Sequence, residues 1–300
     1  MSFSNPASAL DHHYAQVNGI KLHYVSAGSG KLMLFLHGWP EFWLAWKEQL
    51  PEFARTHHVA APDLRGFNLS DKPPAVKDYH PRLVVEDIRQ LIRHLGHERA
   101  IVVAHDWGGA AAWNLASAHP ELVEKLVILN SPHPITFARE LTHNPAQQAA
   151  SQYMLLLRSP KAERVLSENN YARLWRQFEG WKNSVRPPDA ETLKLYEEAW
   201  LQPGALTAGL NYYCVSPLHP PTADAPGAAA LKLDPAMFTV RVPTLVIWGE
   251  QDTALLPGLL DGLDQYVPDL RIERIPQASH WIAHEFPEQV NGLIRNFLAS

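Results

Sequence analysis

The sequence predicts an α/β fold: a mostly parallel central sheet flanked by helices, with a helical domain inserted near its middle. Three observations point there. Short continuous apolar runs at 32–36, 101–103, 126–129 and 242–249 alternate with helix-spaced segments, the pattern of parallel strands buried on both faces. One junction, Val102-Val103-Ala104-His105-Asp106-Trp107-Gly108-Gly109, passes from apolar strand through a tight bend into an Ala-rich helical stretch at 110–118. Between 136 and 238 no buried-strand run occurs, and helical stretches rich in Leu, Tyr and Trp are separated by Pro-rich breaks. The expected organisation is a core over 1–135, a helical cap over 136–238 and the rest of the core over 239–300.

The elements follow in order. Residues 14–26 alternate apolar and polar around Asn18-Gly19 and read as a β-hairpin. The run 32–36 ends in His37-Gly38-Trp39-Pro40, and 42–53 has helical spacing. A short strand at 58–61 leads into the loop Pro62-Asp63-Leu64-Arg65-Gly66. Residues 82–95 form an amphipathic helix, with Leu83, Val84, Ile88, Leu91, Ile92 and Leu95 on one side and Gly96 as its stop. The Ala/Gly/Pro-rich stretch 222–231 reads as a flexible loop. A strand at 270–275 and a helix at 287–298 close the chain.

Composition narrows the partners. With 46% hydrophobic and 19% charged residues the chain can bury a sizeable core. A net charge of −5 argues against a nucleic acid or an anionic membrane as partner. No run of apolar residues is long enough for a membrane helix, and 1–13 lacks the basic and apolar regions of a signal peptide. Cys214 is the only cysteine, so no intrachain disulfide can form; a reducing, cytoplasmic location and a small buried hydrophobe are expected. His12-His13 and His57-His58 are adjacent rather than at ligand spacing, so no metal site and no cofactor is expected.

The chemistry is read from the bend. Strand, sharp turn and helix is the layout that pushes a nucleophile into a site, and the central residue is Asp106. A carboxylate nucleophile attacks carbon bearing a leaving group and forms an ester. It then needs an oxyanion hole, a base for the water that cleaves the ester, and a group to orient that base. His280, in the loop Ala278-Ser279-His280-Trp281 after the last strand, is the candidate base. A lone loop histidine is usually a plain surface group, so its position after the bend and after an acid is what singles it out. Asp252, after the strand at 242–249, is the candidate orienter, with Glu250 its rival. The backbone N–H groups of Trp39 and Trp107 are candidates for the oxyanion hole. Ten tryptophans suggest an aromatic pocket, although most tryptophans serve core packing. The pocket candidates are His37, Pro40, Phe42, His133 and Trp281.

These motifs carry a resemblance that spans nearly the whole chain. His37-Gly38-Trp39-Pro40-Glu41, the loop from Asp63 to Asp71, the bend His105-Asp106-Trp107-Gly108-Gly109, then Asp252 and His280 resemble the α/β-hydrolase superfamily, and within it the soluble epoxide hydrolases. The order nucleophile, acid, histidine is the one seen in that superfamily. The resemblance implies an α/β-hydrolase fold with a helical cap, Asp106 as nucleophile, His280 as base and Asp252 as orienter. It also implies two cap tyrosines whose hydroxyls bind the epoxide oxygen. Tyr153 and Tyr213 match those positions, with Tyr212 the alternative to the second. The implied partners are a small-molecule epoxide and water, and a homodimer is left open.

Other readings are weighed against this one. Haloacetate dehalogenases resemble the chain in the His-Gly-x-Pro region but generally carry Arg after the nucleophile and a cap His-Trp pair; here those positions hold Trp107 and Tyr153-Met154. Haloalkane dehalogenases do have Trp after the nucleophile, but commonly Asn where Trp39 stands, and have little use for two cap tyrosines. A serine esterase needs Ser where Asp106 lies. A non-catalytic ligand-binding protein of this fold predicts a broken set of site residues or a filled pocket.

Overall fold

The computed structural model describes residues 10–300. Residues 1–9, the start of the stretch read for a leader and of the segment 1–135, lie outside the described residues. The strands are β1 (Asp11–Val17), β2 (Ile20–Ala27), β3 (Leu32–Leu36), β4 (His58–Pro62), β5 (Ala100–His105), β6 (Val123–Leu129), β7 (Thr244–Gly249) and β8 (Leu270–Ile275). They form one sheet in the order β1-β2-β4-β3-β5-β6-β7-β8. β1 and β2 are the expected hairpin, turned at Asn18-Gly19 with positive φ at both residues. β2 runs antiparallel to β4, and every later pair is parallel.

The core helices are α1 (Leu50–Phe53), α2 (Pro81–His94) and α3 (Asp106–Ala118). The all-helical segment after β6 carries α4 (Pro134–His143), α5 (Pro145–Ala150), α6 (Tyr153–Leu157), α7 (Ala162–Gln177), α8 (Glu179–Lys182), α9 (Ala190–Leu201), α10 (Ala205–Val215) and α11 (Pro235–Phe238). After β8 come α12 (Ile282–Glu285) and α13 (Pro287–Leu298). All residues of β3, β5 and β7 are buried, since helices cover both faces of the sheet.

Two segments differ from expectation. The stretch 42–53 is not one helix: Trp43–Trp46 forms a 3-10 turn and α1 begins anew around Pro51. Proline lacks an N–H and its ring blocks the preceding turn, so it starts a helix but cannot sit inside one. The stretch 222–231 is not a free loop. It holds a 3-10 turn at Gly227–Ala230 whose Ala228 N–H donates to the His219 carbonyl, with Ala228 buried. Cys214 is half-buried on α10 rather than in the core.

The helical segment sits over the carboxyl ends of the parallel strands through buried hydrogen bonds. Trp200 Nε1 donates to the Pro40 carbonyl at 2.7 Å, and Tyr212 Oη to the Arg65 carbonyl at 3.0 Å. Trp281 Nε1 donates to the Gln177 carbonyl at 2.7 Å. α7 itself is broken by a kink at Glu168–Tyr171, where Asn169, Asn170 and Tyr171 are left-handed.

The β5–α3 bend depends on the absence of side chains. Asp106 has φ +48°, a region costly for any residue but glycine. A Cβ on Gly108 would lie 2.3 Å from the Leu36 carbonyl oxygen, so α3 can lie this close to β3 only because the position is glycine. Gly108→Ala is therefore expected to lower stability by about 1–3 kcal/mol. A urea titration checks it: the midpoint should fall, and an unchanged midpoint would mean that the helix gives way without cost.

Candidate active site

Five strand ends deliver the site. β3 leads to Trp39, β5 to Asp106, β6 to Asn130, β7 to Asp252, and the loop after β8 to His280. Loops beyond the carboxyl ends of parallel strands are where open α/β sheets gather ligand-binding groups. Here they bring together side chains far apart in sequence.

Asp106 Oδ1 accepts the Trp39 backbone N–H at 2.8 Å. Its other oxygen, Oδ2, lies 3.8 Å from His280 Nε2. Ser131 Oγ donates to the Asp106 carbonyl at 2.7 Å and pins the bend from β6. The Trp107 N–H lies in the first turn of α3, where helix amides have no intrahelical acceptor. His280 Nδ1 sits 2.6 Å from Asp252 Oδ2. Asp252 is buried and also accepts the Asn130 side chain at 2.8 Å and the Ala254 and Leu255 amides at 2.8 and 2.9 Å. Glu250, the rival acid, instead pairs with Arg274 at the surface.

The charges follow from these contacts. Burial disfavours an ionised Asp252, but His280, its hydrogen bond, the Leu255 amide and Asn130 outweigh it and hold the carboxyl below its ordinary value. Burial also disfavours charge on His280. Asp252, with its hydrogen bond, and then Asp106 overcome that and raise the imidazole to about 9.

Two cavities, of about 870 and 570 Å³, both reach Asp106, Tyr153 and Tyr213. The larger also touches Trp39, Asp252, His280 and Trp281. The smaller is walled by apolar groups including Phe137, Met154, Leu255 and Phe238. The rings of Tyr153 and Tyr213 stand 6.3 Å apart, edge to face. Tyr213 packs edge to face on Trp39 and Trp107. Burial raises both phenols above their ordinary range; Asp106 adds to it for Tyr153, and Tyr153 and then Asp106 for Tyr213. Both therefore stay protonated and able to donate. Tyr212 faces away, its hydroxyl given to the Arg65 carbonyl.

The pocket expectations need correction. Trp281 lines the larger cavity, but His37, Pro40, Phe42 and His133 line neither. His37 is buried behind the wall, its Nε2 accepting the Leu64 N–H at 3.0 Å. The Pro40 carbonyl is bonded to Trp200, and Phe42 packs on Tyr196 and Trp43. His133 caps α4, faces the Phe238 carbonyl at 2.9 Å and stacks on Tyr266. Each is turned inward by a hydrogen bond or ring contact with a distant partner. Sequence reasoning also missed Asn130, which brackets Asp252; a polar residue at the end of a buried strand was the available signal. Among the described residues no cluster of three or more His, Cys, Asp or Glu could hold a metal ion, and no helix is long and apolar enough to cross a membrane.

Comparison with known proteins agrees with this architecture. The profile of the alpha/beta hydrolase fold family matches residues 31–287. Epoxide hydrolase 3 of Xenopus tropicalis is 37% identical over 94% of this chain and 75% of its own length. The chain belongs to the epoxide hydrolase family of the α/β-hydrolase fold. AB hydrolase superfamily protein YfhM of Bacillus subtilis is 40% identical over 95% of this chain and 96% of its own. A structure of an epoxide hydrolase variant from Bacillus megaterium, in complex with its product (R)-3-[1]naphthyloxy-propane-1,2-diol, superposes with a TM-score of 0.88 at 37% identity. It covers 96% of this chain and all of that one (100%).

The electrostatics of this epoxide hydrolase family member make a direct prediction. In an NMR titration His280 should lose its proton near pH 9, as its environment sets it. In Asp252→Asn the foremost raising group is gone and burial remains, so the imidazole should titrate well below that, toward or under its ordinary 6.5. A titration unmoved by the substitution would show that Asp252 does not control this histidine.

Proposed function

We propose that this protein hydrolyses epoxides to vicinal diols through a covalent ester on Asp106. The observation that carries the reading is a carboxylate and two protonated phenols sharing the same cavities, with an Asp-supported histidine beside them. Epoxide hydrolase relatives over nearly the whole chain support the substrate class.

The steps follow from the geometry. Tyr153 and Tyr213 donate hydrogen bonds to the oxirane oxygen, so the strained ether opens toward an alcohol rather than a bare alkoxide. Asp106 Oδ1 is engaged by the Trp39 N–H, which leaves Oδ2 to attack a ring carbon. The C–O bond of the ring breaks, its oxygen takes a proton from a tyrosine, and a hydroxyalkyl ester remains. Water then enters between His280 and the ester. His280 Nε2 takes a proton as the water oxygen attacks Asp106 Cγ. The developing oxyanion is Oδ1, already facing the Trp39 N–H, with the Trp107 N–H as second donor; losing one such donor typically costs about 10²–10³ in rate. Collapse expels the diol oxygen, which is protonated from the imidazolium; Asp106, left carrying the second proton of the water, releases it to solvent, and the tyrosine takes one back from solvent.

The free enzyme and the ester place different demands on His280. Before attack, the Asp106 charge helps to hold the imidazole protonated. Esterification removes that charge, so the pKa falls and favours the neutral base, while the larger contribution of Asp252 remains. The hydrolysis step should therefore titrate below the value of about 9 that His280 has in the free enzyme. Single-turnover decay of the ester as a function of pH measures this; a limb at or above that value contradicts the neutralisation argument.

The roles separate by mutation. Asp106→Ala should have no detectable turnover. His280→Gln should still be alkylated but fail to hydrolyse, so intact-protein mass spectrometry after exposure to styrene oxide should show an adduct of the whole epoxide mass on Asp106. An adduct formed only with chloroacetate, with chloride released, would move the protein to the dehalogenases. Full activity in the Tyr153→Phe, Tyr213→Phe double variant would remove the case for assisted ring opening.

A further inference from the structure

The base loop and the cap meet at one buried carboxylate that the steps above leave without a role. Glu41 closes the His37-Gly38-Trp39-Pro40-Glu41 stretch and is 2% exposed. Its Oε1 accepts Tyr196 Oη at 2.7 Å, from α9 of the cap, and lies 2.7 Å from His284 Nε2 on α12. Its Oε2 faces His105 Nδ1 at 3.4 Å. The other nitrogen of that ring, His105 Nε2, is 3.0 Å from the backbone carbonyl of His280. A carbonyl only accepts, so this nitrogen donates. The His105 and His280 rings pack with centroids 4.5 Å apart. His284 in turn is stacked under Trp181 of α8, centroids 3.8 Å apart and planes within 12°.

One carboxylate thus receives the cap directly through Tyr196, the cap again through Trp181 and His284, and the His280 loop through His105. Burial alone would push Glu41 toward its neutral form. His284, with its hydrogen bond, and the nearby His105 outweigh it and hold the carboxyl far below its ordinary value. A fixed buried charge of this kind admits few arrangements of its donors, because each one withdrawn leaves charge unpaired. His105 sits immediately before the nucleophile, so its ring links both halves of the chemistry, but only the His280 carbonyl hangs from it.

We propose that Glu41 is a positioning residue for the water-activating step: through His105 it sets the place of the His280 loop, and through Tyr196 and His284 it makes that place depend on the seating of the cap. The inference rests on the roles given above to Asp106 and His280. It separates the two chemical steps. Attack on the epoxide uses Asp106, Tyr153 and Tyr213, none of which touches Glu41. Ester hydrolysis needs His280 placed to within a fraction of an ångström, and misplacement by about 1 Å costs on the order of 10²-fold.

The test mixes enzyme with styrene oxide, quenches at intervals and follows the alkylated fraction by intact-protein mass spectrometry. Glu41→Gln should slow ester decay by about tenfold or more while alkylation stays within about twofold of the parent. The ester should accumulate accordingly. Tyr196→Phe removes a single hydrogen bond from the same carboxylate and keeps the ring; it should slow the same step by a smaller factor. A parent protein that neither consumes styrene oxide nor becomes alkylated refutes the functional reading itself. A parent that turns over while both variants release ester at its rate refutes the role of Glu41. Equal slowing of both steps also refutes it, since it marks a general defect in folding rather than placement. Should Glu41→Gln fail to fold, Tyr196→Phe decides, and parental ester decay in that variant overturns the proposal.

Discussion

The site depends on how closely the β5–α3 bend approaches β3. Asp106 adopts a left-handed backbone conformation at φ +48°, and strain of this kind costs about 1–3 kcal/mol and persists only where its surroundings over-determine it. Those surroundings are visible. β5 lies between β3 and β6 with every residue buried, Gly108 lets α3 rest against the Leu36 carbonyl, and Gly38 leaves room for the Asp106 side chain itself. A Cβ on Gly38 would stand 2.3 Å from the Asp106 Cβ. The approach that these glycines permit is what puts the Trp39 N–H on Asp106 Oδ1.

A second constraint is the treatment of buried charge. Asp252 and Glu41 are each almost wholly removed from water, where an unpaired carboxylate would take up a proton. Each is instead surrounded by partners drawn from several elements: His280, Asn130 and two backbone amides for Asp252, and Tyr196, His284 and the nearby His105 ring for Glu41. The cost of burying charge becomes a demand for fixed partners. That demand draws the loops after β6, β7 and β8 together around Asp252 and ties α9 of the helical segment to Glu41 through the Tyr196 hydroxyl.

Much of the fold is legible in the chain because its strands are written as short apolar runs buried on both faces, as at Leu32–Leu36 and Thr244–Gly249. The bend is legible for the same reason: a buried strand, an acid and two glycines follow each other within eight residues. Helical spacing at 42–53 misleads because periodicity does not register the backbone hydrogen bond that Pro51 removes. Aromatic and histidine content misleads about the pocket. His37, Phe42 and His133 have the composition of a lining but are turned inward by Leu64, Tyr196 and Phe238. Tyr212 and Tyr213 are adjacent aromatic residues of one type, so their identities alone do not say which faces the cavity; the hydrogen bond of Tyr212 to the Arg65 carbonyl is what turns it away.

What the sequence by itself determined is local: the α/β class, the strand–bend–helix junction, an acid in place of a hydroxyl at that bend, and an order of acid and histidine after it. These are short-range patterns, readable because secondary structure and turns impose fixed periods and fixed residue types. The tertiary structure alone decided the quantities that make those residues a site. They are the 2.6 Å contact of His280 with Asp252, the imidazole raised to about 9, the placing of Tyr213 rather than Tyr212 against the cavities, and the places of Asn130 and Glu41. The physical reason is separation along the chain. His105 and His280 lie 175 positions apart and yet share a hydrogen bond, and distance, burial and charge at such a meeting are set by packing, which no local pattern records.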